Sequence, residues 1–255
     1  MRAVLVQAEL CWQEPEANRD HLGALMDKAP GADLYVLPET FTTGFLGDAE
    51  REAEPYDGPT LRWLRAQAEK RSAAITGSIA LLDEHGRRRN RMVFMRPDGQ
   101  ASWYDKRHLF AYGGEDQRYA AGSAQTVVEW RGWRIDLQIC YDLRFPVWCR
   151  NDRHYDLQIF VANWPTPRVE NWRLLLRARS VENQAFVLGV NRTGVDGNGV
   201  DYPGRSSAWD GGGGCLAELG ADESVRLVTL DRSALGDLRA KLPFLRDADR
   251  FSIQS

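Results

Sequence analysis

Short, largely apolar runs alternate along this chain with stretches whose apolar residues recur at helical spacing. Residues 3–8, 33–37, 73–82, 156–161 and 186–190 are runs of strand length, the pattern of strands covered on both faces. Residues 15–28, 60–71, 170–183 and 233–241 carry helical periodicity, and Thr60, after Pro59, reads as an N-cap. One hairpin is expected from residues 91–96 and 101–104 around Pro97-Asp98-Gly99, another from 126–130 and 133–139 around Arg131-Gly132. Strands near 206–209, 215–219 and 225–230 lead into the last helix, and a short helix is expected over 147–152. The Arg87-Arg88-Arg89 run, between Gly86 and Asn90, reads as a solvated hairpin tip. Hairpins mixed with crossover helices exclude a simple parallel series. They predict an α/β fold of two mixed sheets with helices outside, a four-layer sandwich in one domain spanning residues 1–255.

Composition narrows the function classes. The chain is 43% hydrophobic and 27% charged, ordinary for a soluble globular protein. A net charge of −3 gives no reason to expect nucleic acid or an anionic membrane as partner. The first residues read as a strand and not as a signal peptide, and no run is long enough to cross a membrane. Cys11, Cys140, Cys149 and Cys215 show no paired spacing, so reduced thiols in a cytoplasm are expected. The four histidines lack ligand spacing, and Gly211–Gly214 lacks the features of a phosphate loop. Neither a metal nor a cofactor is expected.

Chemistry concentrates at three places where a strand-like run ends. Cys140 closes the run that starts at Trp133, and a turn follows it at once. A thiol so placed sits on a rigid scaffold yet at its rim. Glu39 ends a second run, and Lys106 a third. Attack on an amide needs an activated thiol, an acid/base group and a donor for the oxyanion. Lys106 offers a cation that would lower the thiol pKa. Glu39 suits proton transfer, and the Tyr141 backbone N–H suits the oxyanion.

The three segments resemble the motifs of the nitrilase superfamily of carbon–nitrogen hydrolases: Pro38-Glu39, Asp105-Lys106-Arg107-His108-Leu109, and Ile139-Cys140-Tyr141-Asp142-Leu143-Arg144-Phe145-Pro146. Asn163-Trp164-Pro165, Arg177 to Arg179 with Glu182-Asn183, and Gly189 to Arg192 fit its later segments. The resemblance implies an α-β-β-α sandwich, with Glu39 as general base, Lys106 as oxyanion stabiliser and Cys140 as nucleophile. It also implies Glu115 as a second glutamate supporting the lysine, and a dimer or larger homo-oligomer.

Pro38 to Phe45 and Asp196-Gly197-Asn198-Gly199 are similar to the ω-amidase-like branch. That implies short 2-oxo acid amides such as 2-oxoglutaramate and 2-oxosuccinamate as substrates. An N-carbamoyl amidohydrolase, a deaminated-glutathione amidase and a catalytically silent scaffold remain open alternatives. A substrate carboxylate needs a cation, for which Arg144 and Arg168 are candidates. Phe41, Phe45, Tyr112 and Trp164 are candidate pocket walls.

Overall fold

Two six-stranded sheets pack against each other across an apolar layer. The computed structural model describes residues 1–47 and 53–253. The first sheet contains β1 (Arg2–Gln7), β2 (Leu34–Val36), β3 (Ala74–Leu82), β4 (Arg88–Met95), β5 (Ala101–Asp105) and β14 (Ser224–Thr229), in the order β14-β1-β2-β3-β4-β5. The second contains β6 (Val127–Trp130), β7 (Trp133–Ile139), β8 (Leu157–Ala162), β9 (Phe186–Asn191), β12 (Ser207–Trp209) and β13 (Cys215–Glu218), in the order β13-β12-β9-β8-β7-β6. Helices α1 (Pro15–Asp27) and α2 (Pro59–Arg71) cover the first sheet, and α3 (Val169–Asn183) covers the second. Helix α4 (Arg232–Lys241) follows β14, and β10 (Thr193–Val195) pairs with β11 (Asp201–Pro203) as a separate hairpin. This is the expected α-β-β-α sandwich.

Strand alternation builds both interior layers. On β1, Ala3 and Leu5 join the core between the sheets, while Val4 and Val6 join the core under α1 and α2. A strand buried on both faces reads as one apolar run, and a one-residue slip would exchange the two layers. The central strands β1, β2 and β3 are parallel, as are β7, β8 and β9. Two successive antiparallel pairings return β5 to the direction of β3. The ends of β2, β5, β7 and β8 are therefore where a site is to be sought, since crevices form at the carboxyl ends of such strands.

Three local expectations are corrected. No helix forms over residues 147–152; a five-residue 3-10 turn, Cys140–Arg144, precedes ordinary turns. Pro146 forces Phe145 towards extended geometry (ψ 88°), which stops the turn. The Cys149 carbonyl then accepts from Tyr155 Oη, Gln158 Nε2 and Asn183 Nδ2. Thr60 lies inside α2, whose N-cap is Gly58 and whose first residue is Pro59. The Thr60 N–H and hydroxyl are instead taken by the Glu54 carboxylate. The arginine run is only in part a solvated tip: Arg87 is exposed beside the Asp83–Gly86 turn, but Arg89 is buried on β4, donating to Asp83 and to the Ala120 and Ala121 carbonyls.

Asp136, on the strand leading to Cys140, is buried, and Gln138 and Gln158 both donate to its Oδ2 at 2.8 Å. Burial pushes its carboxyl up to about 7, against the opposing pull of the glutamine donors. An unfolded aspartate titrates near ~3.9, so folding takes up a proton between these values. The contribution of Asp136 to stability is therefore full below about pH 4 and is lost as pH rises through about 7. Asp136→Asn is expected to gain several degrees in Tm relative to wild type near pH 8 and little near pH 4. Thermal melts across that range check this, and an equal shift at both ends would refute it.

Candidate active site

Glu39 stands three residues beyond β2, where Thr40 turns the chain with a positive φ of 41°. Ser78 of β3 fixes that turn, its hydroxyl accepting from Thr40 N–H and its carbonyl from Phe41 N–H. Gly77 lets the segment lie close, because an added Cβ would come within 2.9 Å of Leu37 and Phe41. The Glu39 side chain is fully buried and its carboxylate is surrounded by donors. Oε1 accepts from Lys106 Nζ and Asn90 Nδ2, both at 2.8 Å. Oε2 accepts from the Asn163 backbone N–H at 2.8 Å and from Asn163 Nδ2 at 3.2 Å.

Lys106 follows β5 directly, and its backbone N–H is held by the Asn90 carbonyl. Its ammonium donates to Glu39 Oε1 and to both Glu115 oxygens, at 3.0 and 2.8 Å. The Phe45 ring lies 5.2 Å from Nζ. Glu115 is held in turn by Phe110 N–H at 2.7 Å and Asn90 Nδ2 at 3.0 Å. One buried cation thus serves two buried carboxylates, and Asn90 bridges them.

Cys140 begins the 3-10 turn with φ 45°, a left-handed conformation that costs a non-glycine residue about 1 kcal/mol or more. Asp142 holds this bend. Its Oδ2 accepts from Ile139 N–H at 3.1 Å and Tyr104 Oη at 2.8 Å, and its Oδ1 from His108 N–H at 2.9 Å. His108 Nδ1 also lies 2.8 Å from Oδ1, and its ring stacks on Phe145 at 3.7 Å. A carboxylate two residues after the thiol is thereby tied to a histidine two residues after the lysine. Tyr141 lies in the first turn of the 3-10 segment, where N–H groups have no partner within the turn.

Burial first, and then the Glu39 charge, push the Cys140 thiol pKa well above the ordinary thiol range. Lys106 lowers the thiol pKa as expected, but burial and the Glu39 charge outweigh it. Burial alone would depress the Lys106 pKa, but Glu115, Glu39 and Cys140 together raise it. Burial raises the Glu115 pKa, and Lys106 opposes that.

A cavity of about 340 Å³ opens over the thiol. Phe45, Lys106, Cys140, Tyr141, Arg144 and Trp164 are in its wall, as are Asn163 and Arg168. Phe41 is not: it is fully buried in the core under α1 and α2. Nor is Tyr112, which is 91% exposed; Phe110 and Gly113 line the cavity on either side of it. Arg144 lies 4.9 Å above the Trp164 ring and donates to Asn171 Oδ1 at 3.3 Å. Arg168 lies 5.4 Å from the Phe110 ring. Neither arginine has a carboxylate within ion-pair distance among the described residues; Asp142 is occupied by Tyr104 and His108, and Glu170 pairs with Arg173. Asp196 also lines the cavity and is bound by Tyr202 Oη at 2.8 Å.

Sequence reasoning missed Asn90, Asp142 and the site role of Asn163. Asn90 sits inside an arginine-rich strand with no local signal. Asp142 and Asn163 stood in motif segments and at strand ends, but only their side-chain partners reveal what they hold.

The carbon–nitrogen hydrolase family model matches residues 2–240. An ω-amidase from Escherichia coli (strain K12) is 43% identical over 99% of this chain and 98% of its own length. A 2-oxoglutaramate amidase from Bacillus subtilis is 30% identical over 95% of both chains. The solved structure of a CN-hydrolase superfamily protein from Xanthomonas campestris, with an arsenic adduct in its active site, superposes with a TM-score of 0.97 at 48% identity, covering 100% of this chain and 99% of the other. This chain belongs to the carbon–nitrogen hydrolase family.

Proposed function

We propose that the protein is an ω-amidase-like thiol amidase, releasing ammonia from the terminal amide of short 2-oxo dicarboxylic acid monoamides. One observation carries the substrate reading. The cavity that holds the Cys140 thiol also presents Arg144 and Arg168, and neither has a carboxylate within ion-pair distance among the described residues. Cations left unpaired beside a reacting group suit an anionic substrate. The names carried by the E. coli and B. subtilis relatives support the same reading. A volume of about 340 Å³ suits a small molecule.

The chemistry follows from the donors around Glu39. The thiol proton passes to Glu39 as sulfur attacks the amide carbon, so that a charged thiolate need not exist at rest. The oxyanion forms beside the Lys106 charge and the Tyr141 N–H. Glu39 then gives its proton to nitrogen, the C–N bond breaks, and ammonia leaves a thioester on Cys140. Water takes the vacated place, loses a proton to Glu39 and hydrolyses the thioester; the proton returns to sulfur. Glu115 holds Lys106 in place and keeps it charged.

Domain extent, location and assembly belong to the same proposal. The catalytic unit spans the whole chain and works in the cytoplasm as a dimer or larger homo-oligomer, which size-exclusion chromatography with light scattering tests. No helix among the described residues is long and apolar enough to cross a membrane.

Cys140→Ala is expected to abolish ammonia release while leaving the melting temperature within a few degrees, and Cys11, Cys149 and Cys215 are expected to be dispensable. An active Cys140→Ala protein ends the mechanism. A second test separates base from thiolate. Because Glu39 pushes the thiol pKa up and Lys106 pulls it down, Glu39→Gln should alkylate faster with iodoacetamide near neutral pH, and Lys106→Met more slowly. Both variants should lose roughly 10²-fold or more in turnover. Slower alkylation in Glu39→Gln would contradict the proposed electrostatics.

For substrate, Arg144→Lys and Arg168→Lys are compared on 2-oxoglutaramate and on an uncharged primary amide of similar length. A loss in kcat/KM confined to the charged amide, roughly tenfold or more, is expected where a bidentate fork is lost. Equal losses on both amides would assign the arginines to structure.

A further inference from the structure

Asn163 is the first residue beyond β8, at the same end of the sandwich as Glu39 and Cys140, and it lines the cavity. Its side chain is held in one orientation. Nδ2 donates to the Glu39 carbonyl at 3.0 Å, to Glu39 Oε2 at 3.2 Å and to Thr40 Oγ1 at 3.0 Å. The two Glu39 oxygens can only accept, so the amide cannot be turned over without setting oxygen against oxygen. Oδ1 is consequently left on the other branch. It is buried, and it has no hydrogen-bond partner among the described residues. Asn163 itself is only 5% exposed. A buried carbonyl without a donor is unfavourable and calls for one.

The reaction brings such a donor to this place twice. A primary amide nitrogen must stand at Glu39 to receive its proton, and it carries N–H groups that Glu39 does not use. Once ammonia has left, the water that attacks the thioester gives one O–H to Glu39 and has another to place. Lys106 and the Asn163 backbone present only donors around Glu39 and cannot receive a second N–H or O–H. Asn90, whose Oδ1 is also without a partner among the described residues, is not in the cavity wall.

We infer that Asn163 is a specificity-determining residue, its Nδ2 holding Glu39 and its Oδ1 accepting an N–H of the scissile amide and then an O–H of the hydrolytic water. This rests on the amidase reading above and names the group that selects an amide nitrogen over a leaving atom that bears no hydrogen. An aryl ester oxygen and a nitrile nitrogen are both of that second kind. A site built to accept from N–H discriminates because its acceptor stays unpaired with the wrong substrate.

The test compares acylation, read as kcat/KM, on an uncharged primary amide, on 2-oxoglutaramate and on a p-nitrophenyl ester of matching length, the last through nitrophenolate release. Asn163→Ala removes both functions. It should lower both amides about tenfold more than the ester, the effect of one lost hydrogen bond in the transition state. Asn163→Asp keeps an oxygen acceptor but loses the donor to Glu39. It should lower amide and ester together, leaving their ratio within about threefold of wild type. Stoichiometric labelling of Cys140 and an unchanged circular dichroism spectrum establish that each variant is folded. If Asn163→Ala lowers amide and ester equally, or if Asn163→Asp shifts the amide-to-ester ratio as far as Asn163→Ala does, Asn163 acts only by holding Glu39 and the inference falls. Failure of the substrate reading looks different: wild type would then turn over the uncharged amide and not 2-oxoglutaramate, while the amide-to-ester ratio would still report on Asn163.

Discussion

A fully buried ammonium between two buried carboxylates is the constraint on which the rest of this structure rests. Lys106, Glu39 and Glu115 have no exposed surface on their side chains beyond a trace. Charges taken out of water are stable only when paired and fully hydrogen-bonded, and removing one partner leaves the others uncompensated. Every oxygen of the two carboxylates is met by a donor: Asn90 serves both, Asn163 serves Glu39, and the Phe110 backbone serves Glu115. Those donors come from both sheets and from the loop after β5, so the charge cluster can exist only in the assembled sandwich. The same low exposure pushes the Cys140 thiol pKa well above the ordinary thiol range.

A second constraint sets the reacting atoms against each other. Cys140 is held in a left-handed conformation that a cysteine does not adopt freely. Asp142 compensates by accepting from Ile139, Tyr104 and His108 around that bend. His108 and Tyr104 flank Lys106 along the first sheet's β5 end, whereas Cys140 belongs to the second sheet. One carboxylate therefore fixes the register between the strand that ends in the lysine and the strand that ends in the thiol. The tandem of parallel central strands supplies the coarse alignment, and this network supplies the fine one.

The element pattern was legible because the central strands of both sheets are buried on two faces, which writes them as apolar runs. Where prediction failed, a tertiary contact outweighed local preference. The segment after Pro146 has helical composition, yet the Cys149 carbonyl is claimed by three side chains from other elements. Arg89 looks like a loop cation but finds Asp83 and two carbonyls inside. Phe41 and Tyr112 carry the same aromatic character as Phe45 and Trp164. Only packing sent the first into the core and the second into solvent.

From its residues alone, this chain specified an α/β sandwich, the order of glutamate, lysine and cysteine at strand ends, and a family resemblance carried by three motifs. Those are properties of periodicity and of local chemistry, which the sequence writes contiguously. Tertiary structure decided the direction in which the thiol pKa is shifted, the bridging role of Asn90, the bond from Asp142 to His108 and the orientation of Asn163. Each depends on groups brought together from distant segments, 124 residues apart for Asn163 and Glu39. Burial removes water as the competing partner there, so which groups meet decides their charge and direction.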